Sequence, residues 1–195
     1  MYFCCMEQSD NEKIIYDKNV IDFVTVSVEF CAILEGEEDL QRVDWISKML
    51  KILPLLYLKA SLLPETVASI EEEPEIFVQQ KDYSRIENRV SGIMGEEDIY
   101  LDVFIDEMKY SDRPISAFVS ENIADIYQDL RNFISVYQFE LTDQMQSAIN
   151  ICYSNFRSYW GQKLVNVLRP LHTLHYKEYN SADNDDIFNE EELWD

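Results

Sequence analysis

Glycine and proline are scarce in this chain, with four and five residues respectively out of 195. Tight hairpin turns lean on both residues and helix interiors disfavour both, so their scarcity favours helices over hairpins. Basic residues are also few: sixteen Lys and Arg against thirty-eight Asp and Glu, a formal net charge of −22. That deficit argues against direct nucleic-acid binding, which needs clustered cations on phosphates, and against anionic membrane surfaces. No apolar run approaches the roughly 18 residues of a membrane-spanning helix. The segment Met1–Met6 has no basic residues and too short an apolar run for a secretory signal. A cytoplasmic location is the expectation, and Met6 is an alternative start because MEQSDNEK reads as an ordinary polar leader.

Cysteine and histidine are sparse too. Cys4, Cys5, Cys31 and Cys152 form no CxxC or Cys/His ligand spacing, and buried free thiols suit a reducing compartment. Cys31 and Cys152 lie on apolar stripes, where a thiol stays protonated and inert. GxSxG elbows and Gly-rich phosphate loops are both missing, so no catalytic residue and no cofactor is assigned, and the reading leans away from an enzyme. What is present is a strong core former: 47% apolar residues and 13% aromatics, which a disordered acidic chain lacks. The length suits one domain.

Periodicity places the elements. A helix over 18–35 has Val20, Phe23, Val24, Ser27, Phe30, Cys31 and Leu34 on one face and Gly36 as its stop. A second, capped by Asp39, carries Leu40, Val43, Ile46, Met49, Leu50 and Leu53, with a kink or break expected at Pro54. Residues 61–80 read as an acidic loop. Helices are expected over 82–94, over 97–108 (Leu101, Phe104, Ile105, Met108) and over 114–138 with Pro114 in its first turn. The last runs from Thr142 through Trp160 to Leu174, with Pro170 expected to kink or end it. Gly161 beside Trp160 suggests close approach of another helix. The sum is an all-α, single-domain antiparallel bundle of six or seven helices over 17–176, with a flexible leader over 1–16 and an acidic tail over 177–195.

The negative charge is unevenly spread. Residues 61–82 sum to −5, 96–112 to −6 and 177–195 to −7, whereas 141–176 sum to +2. Asp98, Asp102 and Asp106 fall at i, i+4 and i+8 on the expected fourth helix, and Glu121, Asp125 and Asp129 do the same on the fifth. Such ladders are solvated faces, surfaces kept acidic for a cationic partner, or carboxylate metal sites; the Glu-x-x-His signature of di-iron bundles is absent. His172 and His175, three apart, are candidate paired ligands or a packed helix end. Arg157 and Lys163, among the aromatics Tyr153, Phe156, Tyr159 and Trp160, are expected to pair with the ladders inside the molecule. The tail sets Ile187, Phe188, Leu193 and Trp194 among acids, either folding back on the domain or docking into a basic-rimmed groove.

The strings FVQQKDY (77–83), GEEDIYLDVF (95–104), MKYSDRPI (108–115), ADIYQDLRNF (124–133) and WGQKLVNVLRPLH (160–172) resemble a bacterial domain-of-unknown-function family of small all-helical proteins. The resemblance covers about 15–175, implies a single cytoplasmic helical domain, and brings no catalytic residue. The functional expectation is a non-enzymatic acidic protein that binds a basic protein partner. Asp98, Asp102, Asp106, Glu121, Asp125, Asp129, Phe188, Leu193 and Trp194 are its candidate contacts. The alternatives are a regulator that occupies the phosphate-binding groove of a nucleic-acid enzyme, and an enzyme or metal protein joining Asp125 or Asp129 to His172 or His175. Composition does not fix the oligomeric state.

Overall fold

The computed structural model describes residues 14–38, 40–65, 74–102 and 115–191, with side chains up to residue 177. Helix α1 (Lys18–Glu35) starts behind Asp17, whose Oδ1 accepts the Asn19 N–H at 2.8 Å, and ends where the Gly36 N–H reaches the Ala32 carbonyl. Its buried face is the expected one, with Val26 replacing the half-buried Val24. Helix α2 (Arg42–Ser61) continues through Pro54. Proline removes one hydrogen bond, to Leu50, but its exposed ring leaves Leu53 and Leu56 packed in the core, and that burial outweighs the loss. The buried stripe of α2 includes Trp45 and Ile52, while Val43, Leu55 and Leu58 face out. The expected cap at Asp39 lies outside the described residues.

Helix α3 (Gln80–Met94) opens on a reciprocal cap between Gln79 and Asp82 and stops at Gly95, whose φ of +59° favours glycine. A 3₁₀ turn (Gly95–Asp98) leads into strand β1 (Ile99–Asp102), which pairs antiparallel with β2 (Ile115–Phe118), Ile99 opposite Phe118 and Asp102 opposite Ile115. The described part of the expected 97–108 helix is therefore turn and strand. Its side chains follow period two: Ile99 and Leu101 are exposed, Asp102 is buried and Tyr100 partly so. Residues 103–114, including Asp106 and Pro114, lie outside the description.

Helix α4 (Val119–Gln138) consequently starts five residues later than expected. It packs against α1, α3 and the C-terminal helix. The backbone then stays helical from Thr142 to Glu191: α5 (Thr142–Asn155), one π turn (Phe156–Trp160) and α6 (Gly161–Glu191). Pro170 does not end it. Only the bond to the Asn166 carbonyl is lost, and Leu171 and Leu174 beyond it are buried. Helical backbone thus extends through 177–191, part of the expected acidic tail; Leu193 and Trp194 lie outside the described residues.

The π turn explains Gly161. A Cβ there would strike the Phe156 carbonyl oxygen and lie 2.8 Å from that residue's Cδ2. The close approach comes from the widened turn of its own helix, not from a neighbouring helix. The turn delivers Phe156 and Trp160 to the core, with ring centroids 4.9 Å apart. Trp160 also stacks at 6.4 Å on Phe23, which meets Phe133 at 5.2 Å.

Candidate functional site

Four of the six ladder carboxylates, Asp98, Asp102, Asp125 and Asp129, are withdrawn from the solvated faces their spacing suggested; Asp106 lies outside the described residues. Asp98 is buried and caps α4 from a distance: its Oδ1 accepts the Ser120 N–H at 2.8 Å and its Oδ2 the Ser120 hydroxyl at 2.7 Å. Phe118, at the cap position, has no side-chain acceptor, so Asp98 supplies the negative charge that a helix N-terminus favours. Asp102, also buried, accepts from Asn166 Nδ2 at 2.9 Å and ties β1 to α6. On α4, Glu121 is exposed, whereas Asp125 and Asp129 turn inward.

Asp125 is the centre of a polar network between three helices. Lys163 Nζ lies 2.7 Å from its Oδ2, and the Tyr83 hydroxyl donates to its Oδ1 at 3.1 Å. The same ammonium donates to Asn122 Oδ1 at 3.2 Å and sits 4.9 Å from the centre of the Tyr159 ring. Asn122 in turn donates to the Tyr100 hydroxyl. Burial first, then Asp125, pushes the Tyr159 phenol up to about 12; burial raises Tyr83 further. As α4 descends from Asp129 to Asn122, the partners climb from Asn155 to Lys163, so the two helices run antiparallel. Lys163 thus pairs with a ladder carboxylate as expected. Arg157 does not follow it: exposed, it rests 5.9 Å from the Tyr153 ring centre.

Asp129 differs from Asp125 in having no cation beside it among the described residues. Its Oδ1 accepts from Asn155 Nδ2, and burial holds the carboxyl up to about 6, with Asp125 adding to the rise. It opens onto a cavity of about 380 Å³ between α4, the α5 end and the segment 74–76. Asn132, Asn155, Gln128 and Tyr159 supply the other polar groups, and Phe133, Ile151 and Ile76 form apolar wall. Asn132 Oδ1 accepts the backbone N–H groups of Phe77 and Val78, both at 2.9 Å, and Gln144 Oε1 accepts that of Glu75 at 3.0 Å. Those bonds pin the 74–78 segment across the two helices and so build the rim.

The histidines stand apart from this. His172 and His175 flank Tyr176, with ring centroids at 4.6 and 5.0 Å. Among the described residues no three His, Cys, Asp or Glu side chains converge as metal ligands. Cys31 and Cys152 are buried, and burial pushes both thiols well above their usual range. The sequence reading missed Asn122, Asn132, Asn155 and Asn166. Their signal was available: amides are poor helix formers, yet 122, 125, 129 and 132 share one face of α4 and 155, 159, 163 and 166 one face of its neighbour.

Residues 14–177 match the sequence pattern of a family described as a domain of unknown function, DUF5063. The chain is also similar to protein BF1032 from Bacteroides fragilis, known as a crystal structure: 43% identity, a TM-score of 0.73, and coverage of 83% of this chain and 94% of that one. No curated protein matches the chain. Among the described residues no helix is long and apolar enough to cross a membrane.

Proposed function

This chain belongs to the DUF5063 family, a domain of unknown function, and we propose that it is a non-enzymatic acidic helical bundle that binds a basic protein partner. One observation supports the reading: where the negative charge sits once the interior has taken its share. Asp98, Asp102, Asp125 and Asp129 have partners inside the molecule and are no longer surface contacts. Residues 178–195, by contrast, hold eight acids and no base, and the helical backbone of α6 runs into them as far as Glu191. A charge block of this kind raises encounter rates with a cationic surface and weakens with salt. Within the block Phe188, Leu193 and Trp194 supply anchors, with Glu121 and Asp106 as outlying acids.

The test is affinity capture from a native lysate with the full chain and with a chain ending at residue 179, each at low and at raised salt. A partner retained by the full chain, lost on truncation and released by salt supports the proposal. Capture indifferent to both the tail and salt sinks it, as does recovery of no partner.

A further inference from the structure

The cavity over Asp129 is independent of the acidic tail, and its chemistry points elsewhere. Two carboxylates line it, Asp129 in the wall and the exposed Glu75 at the rim, and no Lys, Arg or His does among the described residues. Lys163, on the next turn, is already held by Asp125 at 2.7 Å. A carboxylate withdrawn from water without a cation beside it is costly unless something neutralises it. Asn155 satisfies one oxygen of Asp129 and leaves the other without a hydrogen-bond partner among the described residues. Asn132 spends its carbonyl oxygen on two backbone N–H groups, which leaves its amide N–H₂ as a donor in the cavity wall. Phe133 and Ile151 line the same cavity and supply an apolar surface suited to a hydrocarbon body. At about 380 Å³ the space falls within the roughly 300–1,000 Å³ of small-molecule sites.

We propose that this cavity binds a small organic amine, its ammonium group on Asp129 and its apolar body against Phe133 and Ile151. A neutral analogue would lose the charge-assisted hydrogen bond, and an anionic one would meet two carboxylates. The polar groups that would recognise the ligand sit on helices, and the 74–78 rim is pinned to them by side-chain bonds from Asn132 and Gln144, so the site exists before the ligand arrives.

The probes are benzylamine, benzyl alcohol and benzoate, titrated into the full chain and followed by amide and side-chain NMR shifts. Saturable binding of benzylamine that perturbs Asn132 and Asn155 is expected, about tenfold or more tighter than benzyl alcohol, with benzoate the weakest. Asp129→Asn should bring benzylamine down to the level of the alcohol, and Ile151→Trp, which fills the mouth from an exposed position, should abolish binding of both. The proposal is overturned if benzylamine does not saturate, if it binds no better than the alcohol, or if Asp129→Asn leaves its affinity unchanged. Should Asp129→Asn fail to fold, the probe ranking and Ile151→Trp decide the matter on their own.

Discussion

At the scale of single residues, one carboxylate type is put to opposite uses. Asp125 has an ammonium at 2.7 Å and Asp129 has none among the described residues, so burial costs Asp129 more than it gains. Its folded-state value of about 6 lies above the unfolded value near 3.9, so the folded chain holds this proton more tightly. Stability from that difference is complete below about pH 4 and is lost as pH rises through 6. Asp129→Asn should therefore stabilise the protein at pH 8, by up to about 2–3 kcal/mol, and show no gain at pH 4; thermal unfolding of both chains across that range checks it. Asp98 makes the contrary prediction. Two hydrogen bonds from Ser120 depend on it, and Asp98→Ala should cost about 2–4 kcal/mol in urea unfolding while leaving the helix content of the folded state intact. An unchanged midpoint would mean that α4 starts as well without its remote cap.

At the scale of elements, helix ends and turns carry the information that periodicity misses. The α4 terminus closes with the Leu141 N–H on the Val136 carbonyl at 3.0 Å and the Glu140 N–H on that of Tyr137 at 3.1 Å. This is a Schellman arrangement, with Glu140 at φ +55° in the place usually held by glycine. Glu140→Gly should raise stability by about 0.5–1 kcal/mol, the reverse of the usual effect of glycine. Gly161→Ala should reverse the other rule. Alanine normally adds about 1 kcal/mol in a helix, but here its Cβ meets the Phe156 carbonyl, so a loss in melting temperature is expected. A gain would mean that the π turn readily rewinds to α. The helix bounds at 18–35, the stop at Gly95 and the helical run from Thr142 were legible because long apolar stripes dominate there. The π turn left a trace as well: Cys152, Phe156, Trp160 and Leu164 follow three consecutive steps of four, each overshooting a full α-helical turn by about 40°. The β pair was not legible. A four-residue strand shows two periods at most, and Asp98 and Asp102 at i, i+4 imitate a helix while each is used singly. The cavity was illegible for a similar reason, since the segment 74–78 is joined to α4 and α5 through side-chain bonds, from Phe77 and Val78 to Asn132 and from Glu75 to Gln144.

At the scale of the whole molecule, charge and packing are separable. Removing 178–195 takes away eight acids and no base, changing the net charge from −22 to −14. Self-repulsion falls accordingly, so the melting temperature of the full chain should rise with added salt more steeply than that of the truncated chain. Equal slopes would place the repulsion within residues 1–177 instead. The burial of the aromatic core has a further, optical consequence. Trp45 and Trp160 are both enclosed, the latter with its indole N–H on the Cys152 carbonyl at 3.1 Å. Emission from these two is sheltered from a charged quencher such as iodide, which cannot enter the apolar core. Three tryptophans exist in the chain, and the third is Trp194. Any fraction of the fluorescence that a quencher reaches is therefore a direct readout of Trp194, and the protein carries its own probe for the residue at the end of its acidic segment.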